Sequence, residues 1–282
     1  MSRIQIFTDS TCDLSLELTQ RYQIGMVPLY VNFGEDTYKD GVTMKPARLF
    51  DIVASSGKLP KTAAPSPNDF YEAFAPHVAR GEQVVYIGLS AELSSTIQNA
   101  SLAASQFEEG QVTVIDSRNL STGIGLLVLK AAHAAEAGSS VQEIKELIEG
   151  MTSKIEVEFI IDTLDYLHKG GRCTSLQAFI GSLLKIRPIV KVVNGAMILT
   201  DKVRGKREKA LEQLLANALA QKEQMDEQVL FVTHAMAEEE ANYVKRQIEQ
   251  HTTVKEVMVT DTGCVVSSHC GPHTVGIVFA KK

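Results

Sequence analysis

The stretch Gly88-Leu-Ser-Ala-Glu-Leu-Ser-Ser-Thr96 joins an apolar run, Val84 to Leu89, to the start of a helical pattern. Three hydroxyl residues, Ser94, Ser95 and Thr96, fall where that helix begins, so side-chain oxygens and free backbone N–H groups can converge on one anion. A carboxylate, a phosphate or an acyl group under attack by a serine would each suit such a place. Polar residues recur at other strand ends, as Asp9-Ser10-Thr11, Ser90 and Asp116-Ser117, and the loop Lys61-Thr-Ala-Ala-Pro-Ser66 adds two more hydroxyls. Singly each is what a cap or turn carries. Together, outside the carboxyl ends of a parallel sheet, they form a rim where a ligand would bind.

Other chemistry finds less support. Gly88-Leu-Ser90-Ala-Glu92 lacks the second glycine of a nucleophile elbow, and Ser94, His269 and Asp116 could supply a triad without any spacing that demands one. No phosphate-binding GxxxxGK[ST] occurs, and Gly123-Ile-Gly125 lacks the third glycine of a dinucleotide fingerprint, which leaves helix packing for those glycines. Cys264, His269, Cys270 and His273 lie within ten residues, but Gly271-Pro272 breaks any helix that would pair the histidines, so no metal site is expected. His269 reads instead as a hydrogen-bond donor to an anion. In Asp165-Tyr-Leu-His-Lys-Gly-Gly-Arg172 the paired glycines permit a sharp turn that presents the Arg172 guanidinium.

Hydrophobic periodicity predicts the elements that position these groups. Strands are expected at Arg3 to Thr8, Met26 to Phe33, Val84 to Leu89 and Val112 to Ile115, alternating with helices at Leu14 to Tyr22, Pro46 to Ser55, Ser66 to Val78 and Gly123 to Ala137. That β–α alternation defines an α/β fold with an N-terminal, Rossmann-like parallel sheet. The pattern changes near Thr152. A strand at Glu156 to Asp162, a short apolar helix at Leu176 to Leu184, a hairpin about Asn194-Gly195, helices at Gly205 to Gln221 and Ala237 to Gln250, and strands at Val229 to Thr233, Val254 to Val259 and Thr274 to Phe279 describe an α+β domain with a mixed or antiparallel sheet. Two domains are expected, residues 1–152 and 153–282.

With 282 residues, 44% hydrophobic and 22% charged, the composition is that of a globular protein able to bury two cores. A net charge of −6 and the absence of a basic stripe argue against nucleic acid. No apolar run reaches the ~20 residues that span a bilayer, and Met1-Ser-Arg-Ile-Gln-Ile-Phe7 reads as a strand rather than a signal peptide, so a cytoplasmic location is expected, with the four cysteines as thiols. The basic run Lys202-Val-Arg-Gly-Lys-Arg-Glu-Lys209 is expected at a helix start, as a solvated face or a dock for an acidic partner.

Taken together, the motifs resemble those of the DegV family, bacterial fatty-acid-binding proteins that serve as the acyl-carrying subunit of a fatty acid kinase system. The resemblance rests on Thr8-Asp-Ser-Thr-Cys-Asp-Leu14, Val27-Pro-Leu29, Tyr38-Lys-Asp-Gly41, Lys61-Thr62 with Pro65-Ser-Pro67, Leu89 to Thr96, Val114-Ile-Asp-Ser117, Leu164 to Arg172, Phe179-Ile-Gly-Ser-Leu-Leu184, Lys185-Ile-Arg-Pro-Ile189 and His269 to Pro272. It implies that Thr62 and Ser94 hold a fatty acid carboxylate, with the backbone at Ser95 and with His269 completing the network. It further implies a buried acyl tunnel between the domains, for which Phe179, Ile180, Leu183 and Leu184 are the expected walls. The protein would be a carrier without cofactor. A separate ATP-dependent kinase would phosphorylate the bound acid, meeting a face that includes Arg172 and Arg204; an anionic membrane could meet the same face. A serine-dependent acyl hydrolase and a stand-alone lipid sensor are the alternatives. Ser95 and His273 stand where the family often has glycine, and Cys173-Thr174 where it often has Ile-Ser or Leu-Ser.

Overall fold

A computed structural model describes residues 3–172 and 186–282. Strands β1 (Ile4–Asp9), β2 (Gly25–Val27), β6 (Gln83–Gly88) and β7 (Val112–Asp116) form a parallel sheet in the order β2-β1-β6-β7. In β6 every residue after Gln83 is buried, as expected of a central parallel strand covered on both faces. One face carries α3 (Pro67–Val78) and α4 (Thr96–Ala104), with Phe70, Phe74 and Tyr86 between helix and sheet. The single strand expected over Met26 to Phe33 is two. Pro28 cannot donate to a ladder, and after it the chain leaves the parallel sheet as β3 (Tyr30–Phe33), which pairs with β4 (Asp36–Lys39) and β5 (Lys61–Ala63) in a small antiparallel sheet. The loop expected at Lys61 is thus a strand, and its register sets Thr62 opposite Val31.

The C-terminal sheet is mixed, in the order β10-β9-β8-β13-β11-β12, with β8 (Ile155–Ile160), β9 (Ile186–Val193), β10 (Ala196–Arg204), β11 (Met225–Ala235), β12 (Glu256–Asp261) and β13 (Thr274–Lys281). Only the β11–β12 pair is parallel. Its outer face is covered by α8 (Arg207–Leu219) and α9 (Glu238–His251), whose Leu211, Leu214, Val244 and Ile248 join Leu230 and Ile277 in a core. β10 runs on to Arg204, so the basic segment Lys202 to Lys209 starts in a strand and enters α8 only at Arg207. The β9–β10 turn has φ of 51° at Asn194 and 86° at Gly195, the pair of positive values a two-residue hairpin turn requires. Its tip docks on the parallel sheet: Ser90 Oγ donates to Gly195 O at 2.9 Å and Arg118 Nη2 to Asn194 O at 2.7 Å. Ser90, read as part of the hydroxyl rim, is a docking post.

Between the sheets lies α5 (Thr122–Glu136), with ten residues buried from Thr122 to Ala132. A helix apolar on all sides belongs inside a core. One continuous cluster joins Ile6, Ile87 and Ile115 of the parallel sheet through Ile124 and Leu127 to Val157, Phe159, Phe231 and Val278 of the mixed sheet. Gly123 and Gly125 let neighbours approach closely: a Cβ there would lie 2.8 Å from Val157 Cγ2 and 2.8 Å from Leu14 Cδ2 respectively. The remaining helices are α1 (Leu16–Arg21), α2 (Pro46–Ser56), α6 (Val141–Met151), α7 (Asp165–Lys169) and α10 (Cys264–Cys270).

Candidate functional site

A cavity enclosing about 860 Å³ of empty space, its mouth included, opens between the two sheets. Most of its wall is apolar, with Leu29, Leu89 and Leu120 from the first half of the chain and Phe159, Met197 and Val265 from the second. Thr62, Ser94, Arg172 and His269 also line it, Thr62 and His269 in direct contact and Arg172 joined to the others through neighbouring backbone. Thr62 Oγ1 and His269 Nε2 are 2.8 Å apart. Arg172 Nε donates to the carbonyl of Leu93, next to Ser94, at 3.1 Å, and Arg172 Nη1 to Gly170 O at 2.7 Å. Gly170 in turn lies against the imidazole, since a Cβ there would be 2.2 Å from His269 Nδ1. Only glycine fits that approach. The Gly-Gly-Arg turn therefore carries Arg172 past the ring, with Gly171 at φ 72°.

Each of the four is held by its own element. Thr62 belongs to β5. Ser94 sits in the loop after β6, where its Oγ bonds Thr96 Oγ1 at 2.8 Å and accepts from Thr96 N at 3.3 Å, closing the start of α4. Ser95, the residue before α4, makes no side-chain cap, is exposed and lies outside the cavity wall. His269 rides on α10, a helix where the sequence pattern predicts no element. Two carboxylates fix that helix at its first turn: Asp13 accepts from Gly263 N at 2.7 Å and from Ser121 Oγ at 2.5 Å, and Asp40 from Cys264 N at 2.7 Å and Val265 N at 3.1 Å. Burial pushes both acids well above, or above, the ordinary carboxylate range. Asp9 is likewise committed within the fold, accepting from Tyr86 Oη at 2.7 Å, Leu89 N at 2.9 Å and Thr11 N at 2.9 Å.

Desolvation, reinforced by the Arg172 cation, lowers His269 to about 4, so the ring is neutral near pH 7. Its Nδ1 is buried and has no partner among the described residues. A proton on Nδ1 would be an unpaired donor, so the tautomer that carries it on Nε2, donating to Thr62, is favoured. The Thr62 hydroxyl proton is then available to a ligand. A triad does not form: Ser94 faces Thr96 rather than His269, no carboxylate meets Nδ1, and Asp116 holds Arg118 N at 2.8 Å. Among the described residues no cluster of His, Cys, Asp and Glu could hold a metal ion. Phe179, Ile180, Leu183 and Leu184 lie outside the described residues. Arg204, at the end of β10, is exposed and does not line the cavity.

Burial of His269 makes stability depend on pH. Between pH 6.5 and about 4 the folded chain binds fewer protons than the unfolded one, so stability is complete above 6.5 and falls with pH through this window. Relative to His269→Gln, the fatty-acid-free protein is expected to lose about 3 kcal/mol across it, read by denaturant unfolding at a series of pH values. Equal slopes for both proteins would contradict that.

Comparison with known proteins agrees with this architecture. The model of the DegV family, described as an uncharacterised protein family, matches residues 3–282. A DegV domain-containing protein of Caldanaerobacter subterraneus is 32% identical over 282 residues, covering all of both chains. The chain belongs to the DegV family. Among solved structures, a fatty-acid-binding DegV family protein from Thermus thermophilus superposes with a TM-score of 0.93 at 32% identity, covering 99% of this chain and 100% of its own. DegV of Bacillus subtilis, described as a fatty acid binding protein, gives a TM-score of 0.87 at 30% identity with full coverage of both.

Proposed function

We propose that this protein binds a long-chain fatty acid, with the carboxylate at Thr62, Ser94 and His269 and the tail in the cavity between the sheets. The observation that carries this reading is the pairing of an apolar cavity with hydroxyl protons that have no other use. Ser94 and Thr96 share a single bond, which leaves one of their two protons free, and Thr62 keeps its own when His269 donates to it. Two such donors suit a carboxylate, and Arg172 adds a compensating cation. Each methylene drawn from water contributes about 0.8 kcal/mol, so the wall supplies affinity while the polar cluster sets orientation. The backbone at Ser95, one residue beyond Ser94, completes the carboxylate site in this reading, and residues 1–152 and 153–282 act as the two domains that enclose the acid. That the similar proteins from Thermus thermophilus and Bacillus subtilis are described as fatty-acid-binding supports the same ligand class.

The protein would be a carrier, not an enzyme, and need no cofactor. A separate kinase would bring ATP to the carboxylate, approaching over Arg172 and exposed Arg204, with an anionic membrane as a second surface for that face. A cytoplasmic location follows from that role; no described helix is long and apolar enough to cross a membrane. The hydrolase alternative is disfavoured by the partners of Ser94 and His269. Organic extraction of purified protein followed by mass spectrometry tests the reading. Near-stoichiometric fatty acid is expected; its absence, together with failure of delipidated protein to take up stearate, would overturn it.

A further inference from the structure

We infer that the cavity contains a second recognition point at Thr233, which selects acyl chains bearing an oxygen, as a hydroxyl or oxo group, partway along the tail. The inference rests on the fatty-acid reading and goes beyond it. In the mixed sheet, Thr260, Thr233, Gly276 and Phe159 form one row across β12, β11, β13 and β8, and the last three line the cavity. Val157 and Val278 lie beside them in the wall. Gly276 packs closely, since a Cβ there would lie 3.2 Å from Phe159 Cβ, so at this point of the row the sheet adds no side chain to the cavity.

Outside the Thr62–Ser94 head-group cluster, the protons of the wall hydroxyls set Thr233 apart. Thr11 donates to Asp9, Ser121 to Asp13, and Thr274 to the carbonyls of Cys270 and Gly271. Thr262 and Ser267 bond each other at 2.7 Å, and Ser267 also reaches the Thr262 carbonyl. Each of these protons has an acceptor. By contrast, Thr260 donates to Thr233 Oγ1 at 3.3 Å, and Thr233 and Thr122 share one bond of 2.6 Å. Three hydroxyls carry three protons, and two bonds place only two of them. When Thr122 donates to Thr233, the remaining proton belongs to Thr233, which is 4% exposed and lines the cavity. A buried hydroxyl proton without an acceptor is unfavourable. An acyl oxygen at the right depth would relieve that, whereas a plain methylene chain would leave it in place.

The test uses delipidated full-length protein and competition binding with stearate and with hydroxy- and oxo-stearates substituted at successive carbons. Within the wild type, the profile along the chain is expected to show an optimum about three- to tenfold tighter than neighbouring positions, the range of one net hydrogen bond. Thr233→Val should flatten the profile, measured as the ratio of each isomer to stearate in the same variant. Thr233→Ser should restore it. Thr122→Val should retain it, because the Thr233 proton then has no other partner. A flat wild-type profile with stearate still bound, or a profile unchanged in Thr233→Val, would overturn the inference alone. Failure of stearate and every isomer to bind would overturn the fatty-acid reading and this inference with it.

Discussion

Replacing Ser94 with Ala, or Thr62 with Val, is expected to weaken stearate binding by about 10- to 150-fold each, the range for a hydrogen bond to a charged group. The double variant should fall short of the product, because both donors serve one carboxylate and the survivor readjusts. The two single variants differ in a second readout. Ser94 also accepts from Thr96 N at the start of α4, so Ser94→Ala should cost about 1 kcal/mol of stability in the unliganded chain. Thr62→Val instead leaves His269 Nε2–H without its acceptor. Titration of delipidated protein with stearate, with thermal unfolding in parallel, measures both. Unchanged affinity in both variants would remove Thr62 and Ser94 from the carboxylate site.

The larger structural effect is expected at Asp40. Its carboxylate accepts from Cys264 N and Val265 N at the first turn of α10, and Asp40→Ala would leave two buried donors unpaired. At about 1–3 kcal/mol each, and roughly 2–4 °C per kcal/mol for a chain of this size, the melting temperature should fall by about 4–24 °C. Stearate affinity should fall as well, since α10 carries His269. Asp40→Asn keeps one acceptor oxygen and is expected to lie between. The variants also differ with pH. Burial raises Asp40 above the ordinary carboxylate range, so the folded chain holds that proton more tightly than the unfolded one. Its stabilising contribution is present at acid pH and is lost as pH rises through the folded value. Asp40→Asn cannot titrate, and its stability relative to the wild type should improve over that rise. A wild-type melting temperature in Asp40→Ala would show that the Asp13 bond and packing hold α10 without Asp40.

Asp13 and Asp40 also show where sequence reading reaches its limit. In the chain each looks like a loop residue beside a glycine or a short helix, and turns use aspartate freely. Their partners lie 250 and 224 residues away, a distance no local pattern spans. The parallel sheet, the central helix α5 and the Asn194-Gly195 hairpin were legible because each has a period or a turn requirement of its own. β5 was not, since three residues are too few to show alternation. α10 was hidden for a similar reason: seven residues with serines at Ser267 and Ser268 carry little apolar signal, and those serines are buried only because Thr262 and the Cys264 carbonyl receive their hydroxyls. Thr62, Ser94, Arg172 and His269 could be selected from short motifs, yet their meeting depends on β5, the loop after β6, the Gly-Gly turn and α10. The exposed position of Ser95 depends on where α4 begins, a boundary that hydroxyl residues alone do not fix.

The central helix bears on how such a chain is inherited. α5 is buried between both sheets, and one apolar cluster continues through it from Ile6 to Val278. A gene fragment ending near Thr152 would encode an α5 with its Val157-facing side bare, and the complementary fragment would lack the partner of its inner face. Neither half offers a self-contained module for recombination to move elsewhere. The relatives from Caldanaerobacter, Thermus and Bacillus align with this chain over 99–100% of its length, the pattern of a unit that diverges by substitution along its whole extent.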